Sequence, residues 1–193
     1  MKTAKDIALI GIYTALLIGG QFVLSGISGV EIVTVLLLGF AYCFGVVRGL
    51  FVANAFSLLR CLIFGFFPNV IILYLIYYNL FVLVFGLLGR GFKKAANLKL
   101  LVVLTVAAAL MTAFFTALDD VITPLYYGFS AKAAKAYALA SLAAVIPQVI
   151  CTLITVPLIL PVLLRIFFSV FPAYKSVRDS KLNDKIIDKS IIV

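Results

Sequence analysis

Apolar residues in this chain come in long unbroken runs. Strict alternation, or recurrence at every third or fourth position, is absent. Six runs stand out, near residues 7–24, 32–47, 49–66, 69–89, 99–118 and 137–164. A helix needs about 20 apolar residues to cross a hydrocarbon core of ~30 Å, whereas a barrel strand would show ~10 residues of alternating polarity. The pattern therefore predicts an all-α integral membrane protein, a bundle of six transmembrane helices.

The breaks between runs carry turn chemistry. Residues 25–31 (SGISGVE) close the first hairpin, and the second run turns over at Arg48 and Gly49. Residues 65–69 (GFFPN) form the next turn, with Pro68 suited to the first position of a fourth helix. The glycine-rich segment 86–91 (GLLGRG) lacks the strand context of a phosphate loop and reads as a helix end. The fifth helix emerges at Asp119 and Asp120, and residues 121–135, with Pro124, Tyr126 and Tyr127, form the longest connection. Pro147, Pro157 and Pro161 predict a bend in the sixth helix. No internal repeat is visible, which argues against an inverted-repeat transporter.

Charge sets the orientation. With the N-terminus cytoplasmic, six crossings put every Lys and Arg on the inner side except Arg60, Lys132 and Lys135, out of 16 in all. That is the positive-inside pattern, and an odd number of crossings would move the cationic tail outside and break it. Both termini are thus expected in the cytoplasm, with residues 1–171 forming the bundle in the cell membrane and 172–193 a charged tail. Lys2 and Lys5 before an apolar run could mark a signal peptide, but Asp6 and the lack of a small-residue cleavage site favour a retained first helix.

Composition narrows the function. The 193 residues are 65% hydrophobic and 12% charged, with a mean hydropathy of +1.26, which excludes a water-soluble globule. The net charge of +9 lies in the inner loops and tail, where it meets anionic headgroups of the lipid bilayer, so no nucleic acid is implied. Cys43, Cys61 and Cys151 are odd in number, sit inside apolar runs and show no C-x-x-C spacing, so they read as small buried hydrophobes. The chain has no His, which removes the commonest general base and metal ligand. No cofactor, metal or catalytic residue is expected. The chain also has no G-x-x-x-x-G-K-[ST], so it cannot hydrolyse ATP by a P-loop of its own.

The candidate chemistry gathers in the outer half. Arg60 lies about 11 residues into the third helix, ~16 Å deep, where an unpartnered cation costs at least ~2.5–3.5 kcal/mol. It either faces an outward cavity and binds an anionic or carbonyl group, or forms a structural ion pair with Glu31, Asp119 or Asp120. Those acids have bland readings too, Glu31 as a helix-start carboxylate and the two aspartates as a solvated helix end. Asn79 and Gln148 fall near mid-bilayer, where an amide must find a hydrogen bond in a ligand or a neighbouring helix. Tyr74, Tyr77 and Tyr78 lie deeper than a headgroup belt requires and suit an aromatic pocket wall. In the first helix Ala8, Gly11 and Ala15 make a small-residue face that permits close approach of another helix.

This combination resembles the S components of energy-coupling factor (ECF) transporters, the substrate-specific membrane subunits that capture vitamins for an ATP-driven module. The resemblance spans nearly the whole chain in size, helix number and orientation. Its most specific element is residues 7–16 (IALIGIYTAL), which is similar to the family's A-x-x-x-A docking surface with Gly11 in place of the first alanine. Residues 30–34 (VEIVT) and 67–69 (FPN) also look like family loop segments. The resemblance implies a membrane-embedded coupling subunit and two ATPase subunits as partners, docked through Ala8, Gly11 and Ala15. It also implies a vitamin-like substrate held near the outer face by Glu31, Arg60, Asn69, Tyr74, Tyr77, Tyr78, Asn79, Asp119, Asp120 and Gln148. The alternatives are a stand-alone gradient-driven carrier and a membrane-embedded enzyme with an Asp119–Asp120 acidic site.

Overall fold

All six described elements are helices: α1 (Ala4–Leu24), α2 (Val33–Phe44), α3 (Val46–Phe64), α4 (Pro68–Gly91), α5 (Leu98–Tyr127) and α6 (Ala131–Val170). The structure is a computed structural model that describes residues 4–27, 32–91 and 98–171. Among the described residues there is no strand. Five helices are long and apolar enough to cross a membrane, the build of a multi-pass membrane protein. The sixth, α2, has 12 residues and so is only ~18 Å long.

α2 is the core of the bundle. Eleven of its residues are buried, so its apolar sides are covered by neighbouring helices rather than by lipid. α1, α3, α4, α5 and α6 form a ring around it in that order, and each packs on α2. Four close approaches set the register. The Tyr13 hydroxyl of α1 donates to the Leu36 carbonyl at 2.7 Å. Gly39 faces Leu160 and Leu163 of α6, and a Cβ there would collide with the Leu163 side chain. In α4, a Cβ on Gly89 would strike the Tyr42 carbonyl oxygen, and one on Gly86 would lie 3.0 Å from the Val46 nitrogen. α4 ends at Gly91, so segment 86–91 is a helix end as expected, and within that last stretch Gly86 and Gly89 also form the groove that receives the α2–α3 corner.

That corner differs from the expected one. The chain reverses at Gly45, whose φ of +83° disfavours any other residue, and α3 begins at once with Val46. Gly49 lies within α3, where a Cβ would come within 2.6 Å of Val82. Arg48, one residue earlier, pairs with Asp6 at 2.9 Å and ties the start of α1 to the start of α3. At the other end of the same two helices, Phe22 meets Phe64 with ring centroids 6.1 Å apart, so α1 and α3 run parallel.

The larger correction concerns residues 121–135. No long loop exists there: α5 continues through Pro124 to Tyr127, and only Gly128, Phe129 and Ser130 separate it from α6. Proline removes one helical hydrogen bond but leaves the rest of the turn available, and buried Pro124 sits in a packed part of α5. Gly128 turns the chain with φ +64°. Ser130 then caps α6, its Oγ accepting from the Ala133 N–H at 3.3 Å. The alanine-rich stretch after it is strongly helix-forming despite its polarity. α6 thus runs for 40 residues, ~60 Å, through all three of its prolines.

Candidate functional site

The end of the bundle that holds the α3–α4 and α5–α6 turns, here termed distal, carries nearly all the candidate residues. The Tyr42–Gly89 contact places Val33, the first residue of α2, level with about Leu80 of α4. The level of Tyr74 is therefore about 9 Å farther out than the start of α2. α2, the central helix, therefore begins below this level. Residues 131–151 of α6 include no buried side chain, and α1 and α6 meet through Tyr13 and Phe167 in the proximal half, at 5.7 Å between ring centroids.

Arg60 lies in this distal layer, half-buried. Its guanidinium carbon is 4.4 Å from the ring centroid of Tyr74 and 5.3 Å from that of Phe64. Both rings supply cation–π attraction to the guanidinium. Its Nε is buried without a hydrogen-bond partner, and among the described residues no carboxylate pairs with it. An ion pair with Asp119 or Asp120 is thus not formed. Glu31, the third acid considered, lies outside the described residues.

Asp119 and Asp120 do not stand at a free helix end. Asp119 accepts from Thr123 Oγ1 at 2.6 Å and from the Tyr137 hydroxyl at 2.7 Å. Thr123 in turn accepts from Asn69 Nδ2 at 3.1 Å, and Asn69 Oδ1 accepts from the Tyr127 hydroxyl at 3.2 Å. The chain of bonds links α4, α5 and α6. Asp120 accepts from Ser141 Oγ at 2.9 Å through Oδ2, while its Oδ1 is buried with no donor. Gln21 of α1 also has a buried, unpartnered Oε1.

Asn79 is committed elsewhere. It and Asn54 exchange amide hydrogen bonds of 3.0 and 3.1 Å across α3 and α4. Each also donates at 2.8 Å to the carbonyl four residues back, Leu50 and Leu75. Tyr74, Tyr77 and Tyr78 are buried among themselves and Phe56, Phe81 and Phe115, so they belong to the packed interior as well as to the floor of the distal layer. Gln148 is half-buried on α6, away from these contacts.

Sequence reasoning missed Asn54, Thr123, Tyr137 and Ser141. Thr123 was hidden by the expected loop at 121–135, because its i, i+4 spacing from Asp119 has meaning only once α5 continues past Asp120, while Tyr137 and Ser141 lay in the expected sixth helix and gain their roles only from its packing on α5. Asn54 was legible as a second intramembrane amide opposite Asn79, since α3 and α4 are joined by a short turn.

The surface of α1 is the other candidate. Tyr13, Thr14 and Leu17 face inward, leaving Ala8, Gly11, Ile12, Ala15, Leu16 and Gly19 exposed on the opposite side. A Cβ added at Gly11 or Gly19 would meet nothing within 4 Å. Among the described residues no group of His, Cys, Asp and Glu could hold a metal ion. Comparison with protein-family models, with curated proteins and with solved structures gives no match.

Proposed function

We propose that this chain is the substrate-binding membrane subunit of an ECF-type transporter. It would capture a small vitamin-like nutrient at its distal end, with that end outward and both termini cytoplasmic, and a separate coupling subunit with two ATPases would drive uptake. The observation that carries the reading is the exposed small-residue face of α1. The Tyr13 hydroxyl holds the opposite face against α2, so Ala8, Gly11 and Ala15 present a flat strip to which another helix can come close. The concentration of polar side chains at the distal end, where a nutrient would enter, supports the same reading.

The test is purification of the tagged chain from native membranes under gentle extraction, followed by identification of what accompanies it. A coupling membrane protein and two ATPases are expected with the wild-type chain and should be lost from Gly11→Leu/Ala15→Leu. The added side chain at Gly11 enters open space in the isolated fold, so the loss would report docking rather than misfolding. Recovery of the chain alone, or retention of the ATPases by the double variant, would overturn the proposal and favour a stand-alone carrier.

A further inference from the structure

The tip of the α5–α6 hairpin, residues 125–146, has no buried side chain. Among the described residues its ring contacts are all internal: Tyr127 lies against Tyr126 and Phe129, and Phe129 against Tyr137. Its side chains reach the rest of the bundle through three hydrogen bonds, Tyr127 to Asn69, Tyr137 to Asp119 and Ser141 to Asp120.

Two of these bonds close the ends of one continuous chain. The Thr123 hydroxyl has a single hydrogen, which goes to Asp119, so toward Asn69 it can only accept. Asn69 must therefore turn its amide nitrogen to Thr123, and its carbonyl oxygen is left to accept from Tyr127. The other oxygen of Asp119 accepts from Tyr137. Asn69 and Thr123 in the middle are buried, whereas both ends are tyrosine hydroxyls of the tip. Asn69, expected at a substrate, thus holds the tip to α4.

At the root of the tip both helices lack a bond. Pro124 has no N–H for the Asp120 carbonyl, and Pro147 has none for that of Ala143. The Asp120–Ser141 bond brings these two weakened turns to neighbouring levels. Helices bend where the ladder is interrupted. Below this point the packing is continuous: Phe115 meets Tyr74 and Tyr77, Thr112 meets Thr152 at 3.1 Å, and Val156 and Leu160 are buried.

We propose that residues 125–146 form a hinged cap, clasped by the hydroxyls of Tyr127 and Tyr137 and pivoting at Pro124 and Pro147. Tyr127 is 52% exposed, so water can replace Asn69 as its partner and release costs little. Released, the cap swings away from the start of α4 and opens the side of the distal layer above the Tyr74–Phe115 contact. Its service as a gate rests on the capture role above; the movement itself does not.

The experiment is pulsed electron spin resonance on the full chain in lipid nanodiscs. Labels go on Ala133→Cys of the cap and Phe66→Cys of the α3–α4 turn, both exposed, with Cys43, Cys61 and Cys151 changed to Ala. The intact clasp should give one dominant distance. Tyr127→Phe/Tyr137→Phe, which removes two hydroxyls and keeps both rings, should add a longer distance and lower the closed-to-open ratio at least about tenfold. Adding Pro147→Ala, which restores a helical bond, should bring back the short distance. A control pair below the hinge, Phe66→Cys with Leu158→Cys, should not change. A single unchanged distance in the double tyrosine variant would overturn the proposal. So would equal broadening of both pairs, which would make the tyrosines general structural contacts, or a mixture that Pro147→Ala leaves as it was. The distances are independent of partner recovery. A swinging cap without co-purifying ATPases would sink the transporter reading and leave the hinge, and a rigid tip with the ATPases recovered would sink the cap alone.

Discussion

The Asn54–Asn79 pair separates packing from ligand binding most cleanly. Replacing Asn54 with Leu removes both inter-amide bonds, of 3.0 and 3.1 Å. Asn79 keeps its bond to the Leu75 carbonyl but is left with an unmatched carbonyl and one unmatched N–H between helices. A side-chain hydrogen bond between membrane helices contributes about 0.6 kcal/mol on average and up to ~1.7. Two reciprocal bonds should therefore give a coupling of about 1–2 kcal/mol. Each single change to Leu should destabilise the bundle by roughly that amount or slightly more, because the stranded partner adds its own desolvation cost. The double change removes both polar groups together and should cost much less than the sum of the singles. The assay is reversible unfolding in mixed SDS and detergent micelles of the wild type, Asn54→Leu, Asn79→Leu and the double variant. Additive effects, with a coupling below about 0.3 kcal/mol, would refute a mutually satisfied pair and return Asn79 to the ligand site.

Two further outcomes follow from the packing. Gly89→Ala places a methyl group against the Tyr42 carbonyl, with backbone atoms of Tyr42 only 3.0 Å away. The strain should exceed the ~1 kcal/mol gained in helix propensity and lower the thermal midpoint in detergent, and an unchanged or raised midpoint would show that the α2–α3 corner does not sit in that groove. Arg48→Met removes the ion pair to Asp6, whose side chain is 6% exposed, and should destabilise the fold by about 2 kcal/mol in the same assay. A loss under about 0.5 kcal/mol would class the contact with exposed surface pairs instead.

Much of the architecture was readable from run lengths and breaks. The apolar stretches can be satisfied in no solvent but lipid or a protein interior, and their lengths allow helices only. Six helices were accordingly expected and are present, with Pro68 opening α4 as anticipated. The boundaries that failed share one cause: Gly, Pro and polar composition were taken as breaks. Gly49 lies inside a helix because a neighbour needs the room, and Pro124 and the stretch after Ser130 are helical because one lost bond or a polar surface does not end a helix. A local signal states what a residue permits. Whether it is used for a turn or for a close approach depends on the facing helix, which lies far away in sequence.

The same distinction runs through the candidate site. The sequence by itself determined that this is a helical membrane bundle, that its few polar side chains cluster toward one end, and that the first helix bears a strip of small residues. Those properties depend on composition and on position along each helix, which are fixed once the runs are helical. Only the tertiary structure decided which polar groups are already spent: Asn79 on Asn54, Asp119 on Thr123 and Tyr137, Asp6 on Arg48. It also decided which are left over, the Nε of Arg60 and the Oδ1 of Asp120. Hydrogen bonding is a pairwise relation at about 3 Å between residues that can be tens of positions apart, so helix rotation and register must be set before any partner is known.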